Sequence, residues 1–243
     1  MENSVTPPLS SDRLVIVPAE RFGQAASERM AEAIEAAVGR SGRARVALAG
    51  GNTPRAVYRE LAQIQLPWDR MEIYFGDERA VPPTDPQSNY RMARETLFDS
   101  VSIPPAQIHR MPAERTDLEV AAADYAALLP DRFDLMVLGI GEDGHTASLF
   151  PASPALNERV RKVVAVNAPK PPFRRLTVTP PVIESAHALI MLAQGAAKAA
   201  AVVRALGATD ELRECPARLA RDGTWILDRA AAALIPGKSR AET

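Results

Sequence analysis

Short apolar runs alternate with longer amphipathic stretches along most of this chain. Apolar runs of this length are typical of buried strands, and stretches with apolar residues at every third or fourth position are typical of helices. When a helix connects two strands, those strands usually lie side by side in the same direction. The pattern therefore predicts an α/β fold: an open, mostly parallel sheet flanked by helices.

The individual elements follow from the same pattern. Strands are predicted at 13–17, 43–50, 71–76, 133–140, 161–166, 174–179 and 187–193. Helices are predicted at 20–39, 54–63, 88–98, 118–129 and 196–206, with a last helix beginning near Ile226. Ser88 is expected to cap the helix that it opens. No repeat or break in composition interrupts the pattern, so residues 1–243 are expected to form a single domain with a core at about 10–235.

Charge and cysteine usage exclude several classes of function. Lysine plus arginine number 29 against 30 acidic residues, so no global field favours nucleic acid or an anionic membrane, and any anion must be bound by a local site. Cys215 is the single cysteine, and no spacing of His, Cys, Asp and Glu matches a metal site. The N-terminal segment MENSVTPPLSSDR is polar, and no apolar run approaches the ~18 residues of a membrane span. We expect a cytoplasmic protein without a metal.

Three polar, glycine-containing turns, GGNTP, GDERAVPP and GIGEDGHT, each follow an apolar strand directly. Ligands of open α/β sheets collect beyond the carboxyl ends of the strands, where backbone N–H groups and helix N-termini are exposed. The candidate functional residues are therefore expected in these turns.

The first turn has the composition of a phosphate-binding loop. Gly50, Gly51, Asn52 and Thr53 stand between a strand and a helix, where backbone amides and a hydroxyl can surround an anion. The turn is neither a Walker A loop nor a GxGxxG motif. The alternative is an ordinary tight turn in which Thr53 caps the helix.

The second turn carries Asp77, Glu78 and Arg79. A charge triplet of this kind is often a solvated loop end that pairs with neighbouring helices. An arginine, however, can hold a carbonyl oxygen or a phosphate through its planar fork of donors.

The third turn contains the side chain best suited to proton exchange near neutral pH, His145. Asp143 could orient the imidazole; the alternative is that His145 only caps a following short helix. His109 and His187 are expected to be structural or at the surface. Lys198 supplies a cation at another junction between a strand and a helix.

Five blocks occur in an order that resembles 6-phosphogluconolactonases, within the glucosamine-6-phosphate isomerase/6-phosphogluconolactonase family. They are LAGGNTP, YFGDERAVPPTDPQSNY, LGIGEDGHTASLFP, RRLTVTPPVI and AQGAAK. The resemblance covers roughly residues 10–235 and implies a Rossmann-like fold related to glucosamine-6-phosphate deaminase and ribose-5-phosphate isomerase. It also implies hydrolysis of 6-phospho-D-glucono-1,5-lactone to 6-phospho-D-gluconate in the oxidative pentose phosphate pathway, with no cofactor and no catalytic metal.

The resemblance further implies roles for individual residues. Around the phosphate it places Gly50, Gly51, Asn52 and Thr53, with Lys198 and Arg175 as cationic partners. At the lactone end it places Asp77, Arg79, Asp143 and His145. A lactone is already an activated acyl group, so a base for water and a donor for the oxyanion suffice. We expect His145 to be the general base, Asp143 to orient it, and Arg79 to stabilise the oxyanion.

Two alternative functions fit the sequence less well. In the deaminase pattern a tyrosine stands in place of Arg79, and a glutamate that assists the ring-opening histidine stands in place of Phe150. A sugar-phosphate-sensing module would need an attached DNA-binding segment, and the residues before the first predicted strand are too few to form one. The expected partner is a small sugar-phosphate lactone, and the expected state is a monomer or a small homo-oligomer.

Overall fold

The computed structural model describes residues 13–207 and 211–237 of the chain. The N-terminal segment up to residue 12, residues 208–210 and residues 238–243 lie outside the described residues. The strands are β1 Leu14–Val17, β2 Ala44–Leu48, β3 Met71–Phe75, β4 Asp77–Arg79, β5 Leu135–Gly139, β6 Val163–Asn167, β7 Arg174–Val178, β8 Leu189–Ala193 and β9 Thr224–Asp228. The α-helices are α1 Phe22–Ser41, α2 Asn52–Leu61, α3 Asn89–Thr96, α4 Leu118–Leu128, α5 Pro180–Ser185 and α6 Ala199–Leu206.

The main sheet has six strands in the order β1-β9-β8-β5-β2-β3. All of its neighbouring strands pair in parallel. Helices cover parallel sheets on both faces, so interior strands are apolar throughout, and β5 is buried from Leu135 to Leu138. The predicted fold class, an open parallel sheet flanked by helices, is confirmed.

A second sheet of three strands, β4-β7-β6, is antiparallel. The strands predicted near 161–166 and 174–179 are present, but they belong to this smaller sheet. Its third member, β4, lies where the sequence predicts a turn, so that prediction is wrong, and so is the alternative of a solvated loop end. Asp77 and Glu78 are only 5% and 4% exposed. Their burial is tolerated because hydrogen bonds satisfy both carboxylates.

The prediction of a helix beginning near Ile226 is also wrong, because Ile226 lies in β9. This strand is in the sheet interior, between β1 and β8. Trp225, Ile226 and Leu227 are completely buried, as expected for an interior strand. The alanines that follow suggested a helix but form turns. Asp228 accepts hydrogen bonds from the backbone N–H groups of Gly195 (3.0 Å) and Ala231 (2.7 Å), which holds the end of β9 and the turn after it.

Two local contacts fix the segments around the candidate turns. The Tyr58 hydroxyl of α2 binds the backbone of Ala49 through both its N–H (2.9 Å) and its carbonyl (2.8 Å), which anchors the connection between β2 and α2. Ser88 caps α3, as predicted, by accepting a hydrogen bond from the N–H of Arg91 (3.1 Å). Among the helices of the described ranges, none is long and apolar enough to cross a membrane.

Candidate active site

A cavity of about 180 Å³ lies at the carboxyl ends of β2, β5 and β8, and the small sheet closes one side of it. Nine of the ten predicted site residues line it: Gly50, Gly51, Asn52, Thr53, Asp77, Arg79, His145, Arg175 and Lys198. The tenth, Asp143, lines a neighbouring cavity of about 1020 Å³ and contacts His145 from that side. The structure therefore brings the predicted residues together.

The turn between β2 and α2 presents backbone groups to the cavity. Gly51 is the N-cap of α2 and has φ 101°, a conformation that favours glycine. Asn52 and Thr53 consequently lie in the first helical turn, so the alternative in which Thr53 caps the helix is wrong. The N–H groups of a first turn have no partner within the helix and form its positive end. This turn is thus suited to an anion.

Asp77 is held by residues that the sequence interpretation did not single out. Its carboxylate accepts hydrogen bonds from the Asn89 side-chain amide (3.1 Å) and from the Ser148 hydroxyl (2.6 Å). A side chain at Gly50 would be impossible without moving this amide, because an added Cβ would lie 1.9 Å from Asn89 Oδ1. Asn89 and Ser148 lie within the quoted blocks, but no local pattern indicates that both reach Asp77.

Glu78 faces α3. Its carboxylate accepts hydrogen bonds from the backbone N–H groups of Arg79 (2.7 Å), Asn89 (2.8 Å) and Tyr90 (2.8 Å), and from the Ser88 hydroxyl (3.1 Å). Burial raises the pKa of Glu78, although the backbone hydrogen bonds oppose this effect. Glu78 therefore holds the start of α3, and with it Asn89, against β4.

Two arginines are direct neighbours in the small sheet, because Arg79 of β4 is in register with Arg175 of the adjacent strand β7. Arg79 donates from Nη1 to the carbonyl of Gln87 (2.9 Å), while its buried Nε has no hydrogen-bond partner within the described part of the chain. Arg175 is 8% exposed and donates from Nε to the carbonyl of Pro172 (3.0 Å). Burial lowers the pKa of Arg175, and the charge of Asp77 opposes that shift. Both arginines also line the cavity, so two positive charges lie beside it.

Asp143 and His145 form a hydrogen-bonded pair, with Nδ1 of the ring 2.5 Å from Oδ1 of the carboxylate. Burial disfavours the charge of Asp143, but its hydrogen bonds with the His145 ring and backbone outweigh this and lower its pKa to about 2. An ionised carboxylate can only accept a hydrogen bond, so Nδ1 of the His145 ring donates the one between them. In the neutral ring, Nε2 then carries no proton and is free to accept one. The pair has the arrangement of a general base with its orienting carboxylate.

The contact with this pair explains one glycine of the turn, Gly141. An added Cβ on Gly141 would lie 2.0 Å from His145 Nδ1 and 2.4 Å from Asp143 Oδ1, so the pair rests directly on this glycine. After His145 the chain makes a turn closed by the N–H of Leu149 and the carbonyl of Thr146 (2.9 Å). The alternative in which His145 caps a helix is therefore wrong.

The remaining predicted cation and histidines take different positions. Lys198 lines the cavity, and its Nζ is 4.0 Å from Glu142 Oε1. His109 stacks on Tyr74 at 4.5 Å and pairs with Glu72 at 2.6 Å, while His187 is exposed. Within the residues that the structure describes, no group of three or more His, Cys, Asp or Glu side chains could hold a metal ion.

Comparison with known proteins agrees with the geometry. The family model described as glucosamine-6-phosphate isomerases/6-phosphogluconolactonase matches residues 18–227. The chain belongs to this family. A curated relative, the 6-phosphogluconolactonase of Mycobacterium bovis, is 41% identical over 231 residues, which cover 87% of this chain and 93% of the relative. The resemblance seen in the sequence blocks is confirmed.

Solved structures of this family share the fold. The 6-phosphogluconolactonase of Trypanosoma brucei has a TM-score of 0.79 and 29% identity, covering 93% of this chain and 100% of that chain. A monomeric glucosamine-6-phosphate deaminase has a TM-score of 0.81 at 24% identity, covering 91% of this chain and 99% of that chain, which shows a common fold. The predicted relationship between the fold of this chain and that of the deaminase is confirmed.

Proposed function

We propose that this protein hydrolyses 6-phospho-D-glucono-1,5-lactone to 6-phospho-D-gluconate, a step of the oxidative pentose phosphate pathway. The observation that carries the proposal is that one cavity is lined by His145, which pairs with Asp143, and by Arg79, Arg175 and Lys198. Such a site offers a proton acceptor beside several cations, which is what a phosphorylated ester substrate requires. Membership of the family supports the same reaction.

The chemistry begins with water, since the lactone carbonyl is already activated. His145 Nε2 accepts a proton from water while the water oxygen attacks C1. The carbonyl oxygen takes the negative charge of the tetrahedral intermediate, and the donors of Arg79, whose Nε has no protein partner within the described residues, stabilise that charge. When the intermediate collapses, the bond from C1 to the ring oxygen breaks. The imidazolium returns its proton to that oxygen.

The phosphate serves as a binding group and does not react. Backbone N–H groups at Gly51, Asn52 and Thr53 surround it at the positive end of α2, while Lys198 and Arg175 supply opposite charge. Gly50 allows Asn89 to approach closely, and Asn89 in turn holds Asp77 at the edge of the lactone site. The first turn of α2 and Lys198 therefore recognise the phosphate end, while His145 and Arg79 act at the lactone end.

A direct assay tests the function. Freshly prepared lactone is supplied at low buffer concentration, and 6-phosphogluconate is followed with the next dehydrogenase of the pathway, with a blank subtracted because the lactone also opens spontaneously. His145→Asn should lower kcat by about 10²–10⁴ and leave phosphate binding largely intact. A wild-type rate equal to the blank would contradict the proposal. Release of ammonia from glucosamine 6-phosphate would favour the deaminase instead.

We also propose that residues 1–243 form a single domain that acts in the cytoplasm as a monomer or a small homo-oligomer, without a cofactor, a metal or nucleic acid. One cluster of buried apolar side chains includes members of both sheets, which supports a single domain. The formal net charge of -1 supports the absence of a nucleic-acid partner. A single cysteine is typical of proteins in a reducing compartment.

A further inference from the structure

The Phe150 ring contacts two polar side chains of the active-site cavity at once. Its centroid is 4.8 Å from that of the His145 ring, at an interplanar angle of 44°. The Arg175 guanidinium carbon lies 5.5 Å from the same centroid. Phe150 is 7% exposed and also lines the larger neighbouring cavity. The ring thus stands between the two cavities and touches the base and a cation of the smaller one.

The backbone on both sides of Phe150 adopts a conformation that side chains rarely accept. Ala147 has φ 48° and Ala152 has φ 59°, both in the left-handed region. Such residues persist only where the surrounding structure holds them. Here the N–H of Ala152 donates to the carbonyl of Arg213 (2.8 Å), and the turn before Leu149 is closed by its own hydrogen bond. The position of the ring is therefore set by the fold.

The chemistry of a phenyl ring explains what it can do at this place. The face of an aromatic ring attracts cations, and aromatic neighbours restrict each other's orientation. Arg175 is permanently charged, and His145 becomes charged whenever it accepts a proton from water. A phenyl ring has no proton to exchange, so Phe150 acts only through its neighbours.

We propose that Phe150 is a positioning residue that orients His145 for proton transfer and Arg175 for anion binding at the same time. This inference rests on the proposed lactonase function. It predicts a loss divided between two steps of the reaction: misplacing His145 lowers kcat, and misplacing Arg175 weakens binding of the phosphorylated ligand. A residue that contributed only to stability would change neither quantity in the folded enzyme.

The test compares three variants of the full chain. Phe150→Leu keeps an apolar side chain but removes the aromatic face, and Phe150→Tyr keeps the face. Phe133→Leu is the matched control, because Phe133 is 1% exposed and its ring contacts Tyr74 at 5.3 Å, away from the cavity. We measure kcat, the Kd for 6-phosphogluconate by calorimetry, and the melting temperature.

Phe150→Leu should lower kcat and raise Kd, each by about 3- to 30-fold, whereas Phe150→Tyr should stay within about 3-fold of the wild type. Phe133→Leu should lower the melting temperature and leave kcat and Kd unchanged. In a His145→Asn background, Phe150→Leu should lower kcat no further and should still raise Kd. If the leucine variant does not fold, Phe150→Met replaces it with the same expected results.

Wild-type kcat and Kd in folded Phe150→Leu would overturn the inference. Equal losses in the leucine and tyrosine variants would also overturn it, because they would show that shape and not the aromatic face matters. The failure of the proposed function is a separate result: the wild type itself would then fail to hydrolyse the lactone.

Discussion

Replacing Gly141 by alanine should inactivate the enzyme without unfolding it. Gly141 is outside the left-handed region, so alanine can adopt its backbone conformation. The new Cβ would meet His145 Nδ1 at 2.0 Å, His145 Cε1 at 2.3 Å and Asp143 Oδ1 at 2.4 Å. These atoms are the ends of side chains that are 30% and 43% exposed, so they can move away where a backbone atom could not.

The size of the effect follows from the displacement. Non-bonded heavy atoms approach to about 3.5 Å, so the ring must move by roughly 1.5 Å. A misplacement of about 1 Å can cost on the order of 10² in rate, and complete loss of a general base costs up to about 10⁴. We therefore expect kcat to fall by about 10²–10⁴. The free energy of unfolding should change by less than about 2 kcal/mol, because no backbone hydrogen bond is lost.

The control is the same substitution at Gly39, which is exposed on α1 and has no atom within 4 Å of an added Cβ. Gly39→Ala should leave kcat unchanged and raise stability by about 0.5–1 kcal/mol, the usual gain for alanine inside a helix. The coupled assay with its blank and a thermal melt measure both variants. A folded Gly141→Ala variant with a near-wild-type kcat would refute the reasoning. An unfolded one would show that the turn, and not the pair, takes up the strain.

Three further predictions concern the charged groups of the cavity. Lys198→Ala should raise KM by about 10- to 150-fold with little change in kcat, through the loss of a charge-assisted hydrogen bond, and an unchanged KM would remove Lys198 from the phosphate site. Arg79→Lys keeps the charge but removes the Nε donor, so kcat should fall by about 10²–10³, and wild-type kcat would exclude this donor from oxyanion stabilisation. The pKa of Asp143 is lowered to about 2, so its carboxylate stays charged until the pH falls that far. Above that pH Asp143 adds no second protonation, so the fall of log kcat on the acid side should have a slope of about one, and a slope of about two would contradict this.

The sequence predicts the parallel sheet, and the meeting of its polar turns at one edge, for one physical reason. Parallel strands end at the same edge, so polar turns that follow different buried strands must meet there. Gly51, His145 and Lys198, which are far apart in the chain, do line one cavity at that edge. Local pattern was sufficient because each turn follows directly from its own strand.

The errors arose where contacts between distant segments decide the structure. The charged residues of β4 have little intrinsic preference for a strand, and they form one by pairing with β7, almost a hundred residues later. At β9 a short apolar run before several alanines fits either a helix or a strand. The segment forms a strand because it pairs with β1 on one side and with β8 on the other. The hydrogen bond between Ser148 and Asp77 spans 71 positions, so no window of sequence contains both partners.

The register of β4 against β7 makes folding stability depend on the ligand. Arg79 and Arg175 are directly opposite each other, and like charges in such cross-strand positions destabilise a sheet by up to about 1 kcal/mol. A phosphate dianion bound beside Arg175 would offset part of that repulsion, and a ligand that binds only the folded state shifts the unfolding equilibrium by mass action. The protein should therefore resist heat better in phosphate than in a non-binding buffer of equal ionic strength. A cell rich in sugar phosphates would hold more of this enzyme in its folded form.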